Sequence, residues 1–183
     1  MTVKEILIAA AENLGFADKV SAYLNGTSTD AEAEAKNLLR CFNIVENELA
    51  LDYLPLTCEE EILSEAGVIY FSEFTRSIVR VLKVQDRFGN DVPFKLFPKY
   101  LKTQPRQVTI TYTYTPYEKN FDDESDFVLH ASVRMLAYGV AAEYSLAIGL
   151  FEEAAVWEKK YKDAISAAYR ATKSKTIRAR RWA

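Results

Sequence analysis

The chain has 183 residues, enough for one ordinary domain or for one domain with a sizeable insertion. Hydrophobic residues make up 49% of it and aromatic residues 13%, which supports a packed core and excludes wholesale disorder. The net charge of −3 hides an asymmetry: "KSKTIRARRWA" (173–183) holds five basic residues and no acidic one, leaving 18 basic against 26 acidic residues elsewhere. An acidic body argues against broad, sequence-independent binding of nucleic acid, which needs basic surface to neutralise phosphates.

Thr2 and Glu5 have the spacing of a capping box, and "VKEILIAAAENLG" predicts a helix over Val3–Leu14, stopped by Gly15. A short second helix is expected in "DKVSAYLNG". Thr29 with Glu32 repeats the start signal. The helix behind it carries Ala35, Leu38, Phe42, Val45 and Leu49 on one face and must end before Pro55.

The period then changes. "GVIYFSEF" and "SIVRVLKV" are rich in β-branched and aromatic residues, and "RFGND" is a hairpin signal with "VPFKLF" as the returning strand. "QVTITYTYT" puts Val108, Ile110, Tyr112 and Tyr114 on one face and threonines on the other. The run Glu59–Glu61 reads as a solvated strand edge or loop.

Helical periodicity returns at "DDESDFVLHASVRMLAYGVAAEYSLAIG". The acidic cluster Asp122, Asp123, Glu124 and Asp126 is read as that helix's N-terminus, where the helix dipole favours carboxylates. Gly149 closes it. A last helix starts near Glu152 with Ala154, Trp157, Tyr161, Ala164, Ile165 and Ala168 on one face and a Glu158–Lys162 pair on the other. The most apolar stretch, Ala131–Leu150, contains Arg134 and Glu143, each costing roughly 2.5–3.5 kcal/mol at a bilayer centre, so it is read as a buried helix and no membrane partner is expected.

The expected fold class is therefore α+β. Residues 1–53 and 118–173 form an antiparallel helical bundle whose C-terminal part is a helical hairpin. Residues 54–117 are an inserted small β domain, and 174–183 an extended basic arm.

Signs of catalysis are missing from the sequence. Glycines 15, 26, 67, 89, 139 and 149 are scattered and form no phosphate-binding loop or nucleophile elbow. His130 is the one histidine and reads as structural. Cys41 and Cys58 read as reduced, buried thiols. The 122–126 cluster lacks the glycine and terminal glutamate of a calcium loop. No catalytic, cofactor-binding or metal-binding residue is expected, and no cofactor. The N-terminus shows no signal-peptide pattern, so synthesis and use in the cytoplasm are expected. In the tail, Ile177 and Trp182 interleave with Arg178, Arg180 and Arg181. Trp and Arg are the residue types most enriched at interface hot spots, which suits an arm laid into a partner's groove.

The runs "LLRCFNIVENELALDYLPL" (Leu38–Leu56), "RMLAYGVAAEYSLAIGLFEEAAVWEKKYKDAI" (Arg134–Ile165) and "IRARRW" together resemble the head–tail connector, or adaptor, proteins of tailed bacteriophages. The resemblance covers roughly a third of the chain and includes no catalytic signature. It implies a structural virion protein located in the neck and assembled in the cytoplasm of the bacterial host. Such proteins form a ring, usually of twelve copies, under the portal protein. The ring extends the channel for double-stranded DNA, which passes without specific binding, and offers a platform to tail or neck proteins. The segment that engages the portal in the family falls on Ile177, Arg178, Arg180, Arg181 and Trp182. Two other readings stay open: a cytoplasmic nucleic-acid-binding protein using the basic tail, and an enzyme using His130 or the carboxylates.

Overall fold

A computed structural model describes residues 1–129 and 131–172. The protein is of mixed α and β type, with five α-helices and six strands in two antiparallel three-stranded sheets among the described residues. The chain divides into two compact units, one of Met1–Val45 with the stretch from Lys119 onward, the other of Glu46–Glu118.

In the first unit, α1 (Val3–Leu14) carries the full capping box. Thr2 Oγ1 accepts from Glu5 N, and Glu5 Oε2 accepts from Thr2 N at 2.9 Å. Gly15 ends the helix at φ 82°, a conformation that residues with a Cβ rarely adopt. Val3, Ile6, Leu7, Ala10 and Ala11 are its buried stripe. Helix α2 (Ala17–Leu24) packs on α1, and α1 packs on α4 (Val133–Ala147). Helix α3 (Glu32–Glu48) buries Ala35, Leu38, Phe42 and Val45 at the expected 3–4 spacing. One π-helical turn over Leu49–Tyr53 follows it, closed by the bond from Leu54 N to Leu49 O. Pro55, with no N–H to donate, comes next.

Helix α4 starts later than the sequence suggests. Its cap is Ser132, whose hydroxyl accepts from Met135 N, and residues 121–129 form turns and a single bridge. The acidic cluster instead serves the start of α1. Asp123 O takes the orphan N–H of Val3 at 3.0 Å, Glu124 forms a bridge with Thr2, and Asp122 pairs with Lys4 at 2.7 Å. The carboxylates thus stand near a helix N-terminus, but that of a helix at the far end of the chain.

Gly149 (φ 83°) turns the chain between α4 and α5 (Phe151–Thr172). A Cβ on Gly139 would stand 2.7 Å from Val45 Cγ1 and 3.1 Å from the Tyr161 ring, so glycine is what allows this close approach. On α5, Ala154, Tyr161 and Ile165 are buried, Trp157, Ala164 and Ala168 are half-buried, and the residues between them are exposed.

The second unit holds β1 (Leu56–Ser64), β2 (Val68–Tyr70), β3 (Ser77–Asp86), β4 (Lys95–Leu96), β5 (Tyr100–Lys102) and β6 (Arg106–Thr115). The sheet orders are β1-β6-β3 and β2-β5-β4. One hydrophobic cluster draws on both sheets: Val81, Val84, Val108, Ile110 and Tyr112 from the first, Ile69 and Leu101 from the second, with Phe74 and Val92. Strand β6 lies between β1 and β3 and is buried at Val108, Ile110 and Tyr112, as its alternation requires. Register shifts at Ile78/Arg80 and Val81/Lys83 put bulges in β3. The chain after β3 turns back at "RFGND" but meets β3 in a single bridge, Gln85 with Asp91, and its strand β4 pairs with β5 in the other sheet instead of returning along β3. The turn is held by Asp86, whose carboxylate accepts from Phe88 N and Asn90 N. Those bonds, the one from Asn90 N first, hold its pKa below the usual carboxylate range.

Candidate functional site

The residues with the strongest sequence claim to a partner, Ile177, Arg178, Arg180, Arg181 and Trp182, lie outside the described residues, and so does His130. The remaining candidates fall into three places.

The first is the α4–α5 turn. The chain doubles back so that Tyr138 stacks on Trp157, with ring centroids 5.7 Å apart at 25°. Lys160 Nζ sits 3.9 Å from the Trp157 ring centroid and Arg134 lies over Tyr138, where its Nε also donates to the hydroxyl at 2.5 Å. Alternating cations and rings fix this side of the pair. The turn itself is apolar where turns are ordinarily polar. Leu146, Ile148, Leu150 and Phe151 are all exposed, Phe151 by 68%, and Val156 follows on α5. The sequence carries the signal, since "LAIGLF" surrounds Gly149 without a polar residue, but periodicity alone assigns such residues to a core.

The second is the Glu59–Glu61 run. It lies inside β1, an edge strand, with Glu59 and Glu61 exposed and Glu60 turned inward. Glu60 accepts from the Tyr112 hydroxyl and from Thr75 N at 3.1 and 3.2 Å. Burial works to raise the Glu60 pKa, but those hydrogen bonds and the Arg76 charge outweigh it and hold the carboxyl below its ordinary value. Burial first, then the bond to Glu60, pushes the Tyr112 phenol well above its own.

The third is a buried polar cluster in the helical unit that no motif announces. Asn43, midway along α3, meets the Lys119 backbone as a strand would: its Oδ1 accepts from Lys119 N at 2.7 Å and its Nδ2 donates to Lys119 O at 3.1 Å. The Lys119 ammonium, with no exposed side-chain surface, reaches Asp126 at 2.9 Å. This fixes the segment that approaches α1 and is architectural.

The cysteines differ. Cys41 is buried, and burial, followed by the nearby Glu143 charge, pushes its thiol up to about 11; Cys58 is half-buried in β1. No group of three or more His, Cys, Asp or Glu placed to hold a metal ion occurs among the described residues, and none of their helices is long and apolar enough to cross a membrane. Comparison with known proteins finds no family model and no curated protein that matches the chain.

Proposed function

We propose that the protein is a head–tail connector of a tailed bacteriophage, a structural component of the virion neck without catalytic activity. In this reading the helices make an antiparallel bundle that assembles copies into a ring under the portal. Residues 54–117 are an inserted domain facing neighbours or tail proteins, and 174–183 are an arm docked on the portal. The observation that carries the proposal is the exposed apolar turn between α4 and α5. It lies within Arg134–Ile165, the longest of the segments resembling connectors, and contiguous apolar surface on a soluble protein marks a place of association. The arm supplies what a docking segment needs: Trp182 for a pocket and three arginines for charge-assisted bonds. Many weak arms on one ring would bind with an avidity about 10²–10⁴ above the affinity of one. The acidic body suits a DNA conduit, because a negative wall repels phosphates.

The test uses isolated portals. Wild-type protein should be retained, and Trp182→Ala should lose about 2 kcal/mol or more per arm, with its circular dichroism unchanged. Phe151→Ser should leave the monomer folded and impair ring formation, read by negative-stain micrographs. Equal retention of wild type and Trp182→Ala, or unchanged retention after removal of residues 174–183, would show that the arm is not the anchor. Rings that form normally with Phe151→Ser and Ile148→Ser would show that the apolar turn is not an assembly surface.

A further inference from the structure

We infer that the outer face of the β2-β5-β4 sheet binds single-stranded nucleic acid, with Lys95 and Lys102 on its phosphates and the Phe97–Tyr100–Tyr70 row against its bases. The inference is independent of the connector reading and is tested on the purified chain alone.

Register sets the two rows. Ile69 and Leu101 point into the core with no exposed surface, so their neighbours along the strands face outward. Lys95 pairs with Lys102 and Lys102 with Val68, which makes one row. Tyr100 pairs with Tyr70, and the bond from Phe97 N to Tyr100 O at 2.9 Å extends that pairing to Phe97, which makes the second. Phe97 stacks on Tyr100 at 4.7 Å and 16°, and Tyr70 meets Tyr100 edge-on at 5.9 Å. Phe97 and Tyr70 are exposed, Tyr70 by 52%.

The stretch of chain that supplies β4 and β5 is one-sided in charge. From Val92 to Tyr117 the chain contains Lys95, Lys99, Lys102 and Arg106 and no acidic residue. Arg106 lies 3.8 Å from Asp86, but none of the three lysines has an ion-pair partner among the described residues. Glu73 is turned to the Tyr70 backbone, accepting its N–H at 3.2 Å. Like charges placed directly opposite each other weaken a sheet. A lysine on the edge strand β4 can serve to block unwanted strand pairing, but Lys102 is on the central strand β5, where that role does not exist. An anion between the two ammonium groups would remove the repulsion.

The face is also shaped. Pro93, Phe94, Lys95, Phe97, Lys102, Thr103 and Gln104 line a shallow depression of about 390 Å³ with no acidic residue in its wall. The Thr103 hydroxyl donates to Pro93 O at 3.3 Å and ties its two sides together. The lysine and aromatic rows are two residues apart along the strand, roughly 6.6–6.8 Å, a separation suited to a nucleotide with its phosphate on one row and its base on the other. A duplex offers phosphates but hides its base faces in the stack, leaving the aromatic row unused. An acidic polypeptide would use the lysines and likewise leave the rings idle.

Fluorescence anisotropy with a labelled oligothymidylate, a duplex of equal length and a polyglutamate chain tests this on the full-length protein. The single strand should bind tightest. Lys95→Gln with Lys102→Gln should weaken it about tenfold or more and reduce the log–log salt slope by about 1.4, the value for two phosphates on a single strand. Tyr70→Ala should weaken binding roughly 5- to 150-fold with the salt slope unchanged, the mark of lost stacking rather than lost charge. Lys102→Arg should restore binding, which separates a charge effect from a damaged sheet. The variant Arg178→Gln/Arg180→Gln/Arg181→Gln, which removes three positive charges, reports on the basic tail. The inference is overturned if that tail variant abolishes binding while the lysine variants bind normally. Equal affinity for the duplex or for polyglutamate overturns it too, as does absence of binding at low salt.

Discussion

At the residue scale, Gly139 decides how closely the elements around it approach. In an exposed helix, Gly→Ala would gain about 1 kcal/mol from propensity. Here the added methyl would press on the stiff, β-branched Val45 and on the Tyr161 ring, and overpacking of that kind costs about 1–3 kcal/mol. Gly139→Ala is therefore expected to be destabilising on balance, by about 1 kcal/mol, as a lower urea midpoint with an unchanged slope. Glu60 offers a test on the acid side. Its folded pKa is below the ordinary value, so its contribution is present above about pH 4.3, the unfolded reference, and is lost as pH falls through the folded value. Glu60→Gln should flatten the decline in stability between about pH 5 and pH 3, by less than about 1 kcal/mol because the half-buried carboxylate is still partly screened by water. Tyr112→Phe removes a donor to that carboxylate from inside the β core and should cost about 1 kcal/mol at pH 7, read by thermal unfolding.

At the element scale, α1 is specified twice. Its own sequence supplies the capping box, and the 122–126 loop supplies a backbone carbonyl to Val3 N and a carboxylate to Lys4. Thr2→Ala removes the side-chain acceptor but leaves the Asp123 carbonyl in place. The expected loss is about 1 kcal/mol, within the range for N-cap substitutions, measured by chemical denaturation. The Lys4–Asp122 pair adds little to this, because Asp122 stands in water and Lys4 is only partly covered, so the pair is screened.

At the scale of the whole molecule, each compact unit has buried residues of its own: Ile6, Leu7, Leu38, Phe42, Phe127 and Leu136 in the helical unit, and the cluster around Tyr112 in the β unit. Replacing Thr57–Pro116 with a short Gly/Ser linker should preserve the helical circular dichroism and a cooperative melt. A product without helical signal would show that the helical unit needs the strands to fold.

Much of the local structure is legible from residue order, because the signals are local. Thr2, Glu5 and Gly15 mark α1 through bonds spanning three or four residues. The stripes on α3 and α5, and the alternation of β6, follow from helix and strand periods acting on nearby side chains. Strand β1 is harder to see, because its outward positions are glutamates and its inward ones include Glu60, whose partners Tyr112 and Thr75 are supplied by other parts of the chain. The acidic cluster reads as belonging to the wrong helix for the same reason: a carboxylate's preference for a helix N-terminus does not say which helix, and the bridge from Glu124 to Thr2 spans most of the sequence. Nor does spacing along the chain show that Lys95 faces Lys102, that Asn43 takes the Lys119 backbone, or that the apolar residues around Gly149 stay in solvent. Each depends on which segments fold against one another, and that is settled by the summed burial and hydrogen bonding of the assembled units rather than by any one stretch of residues.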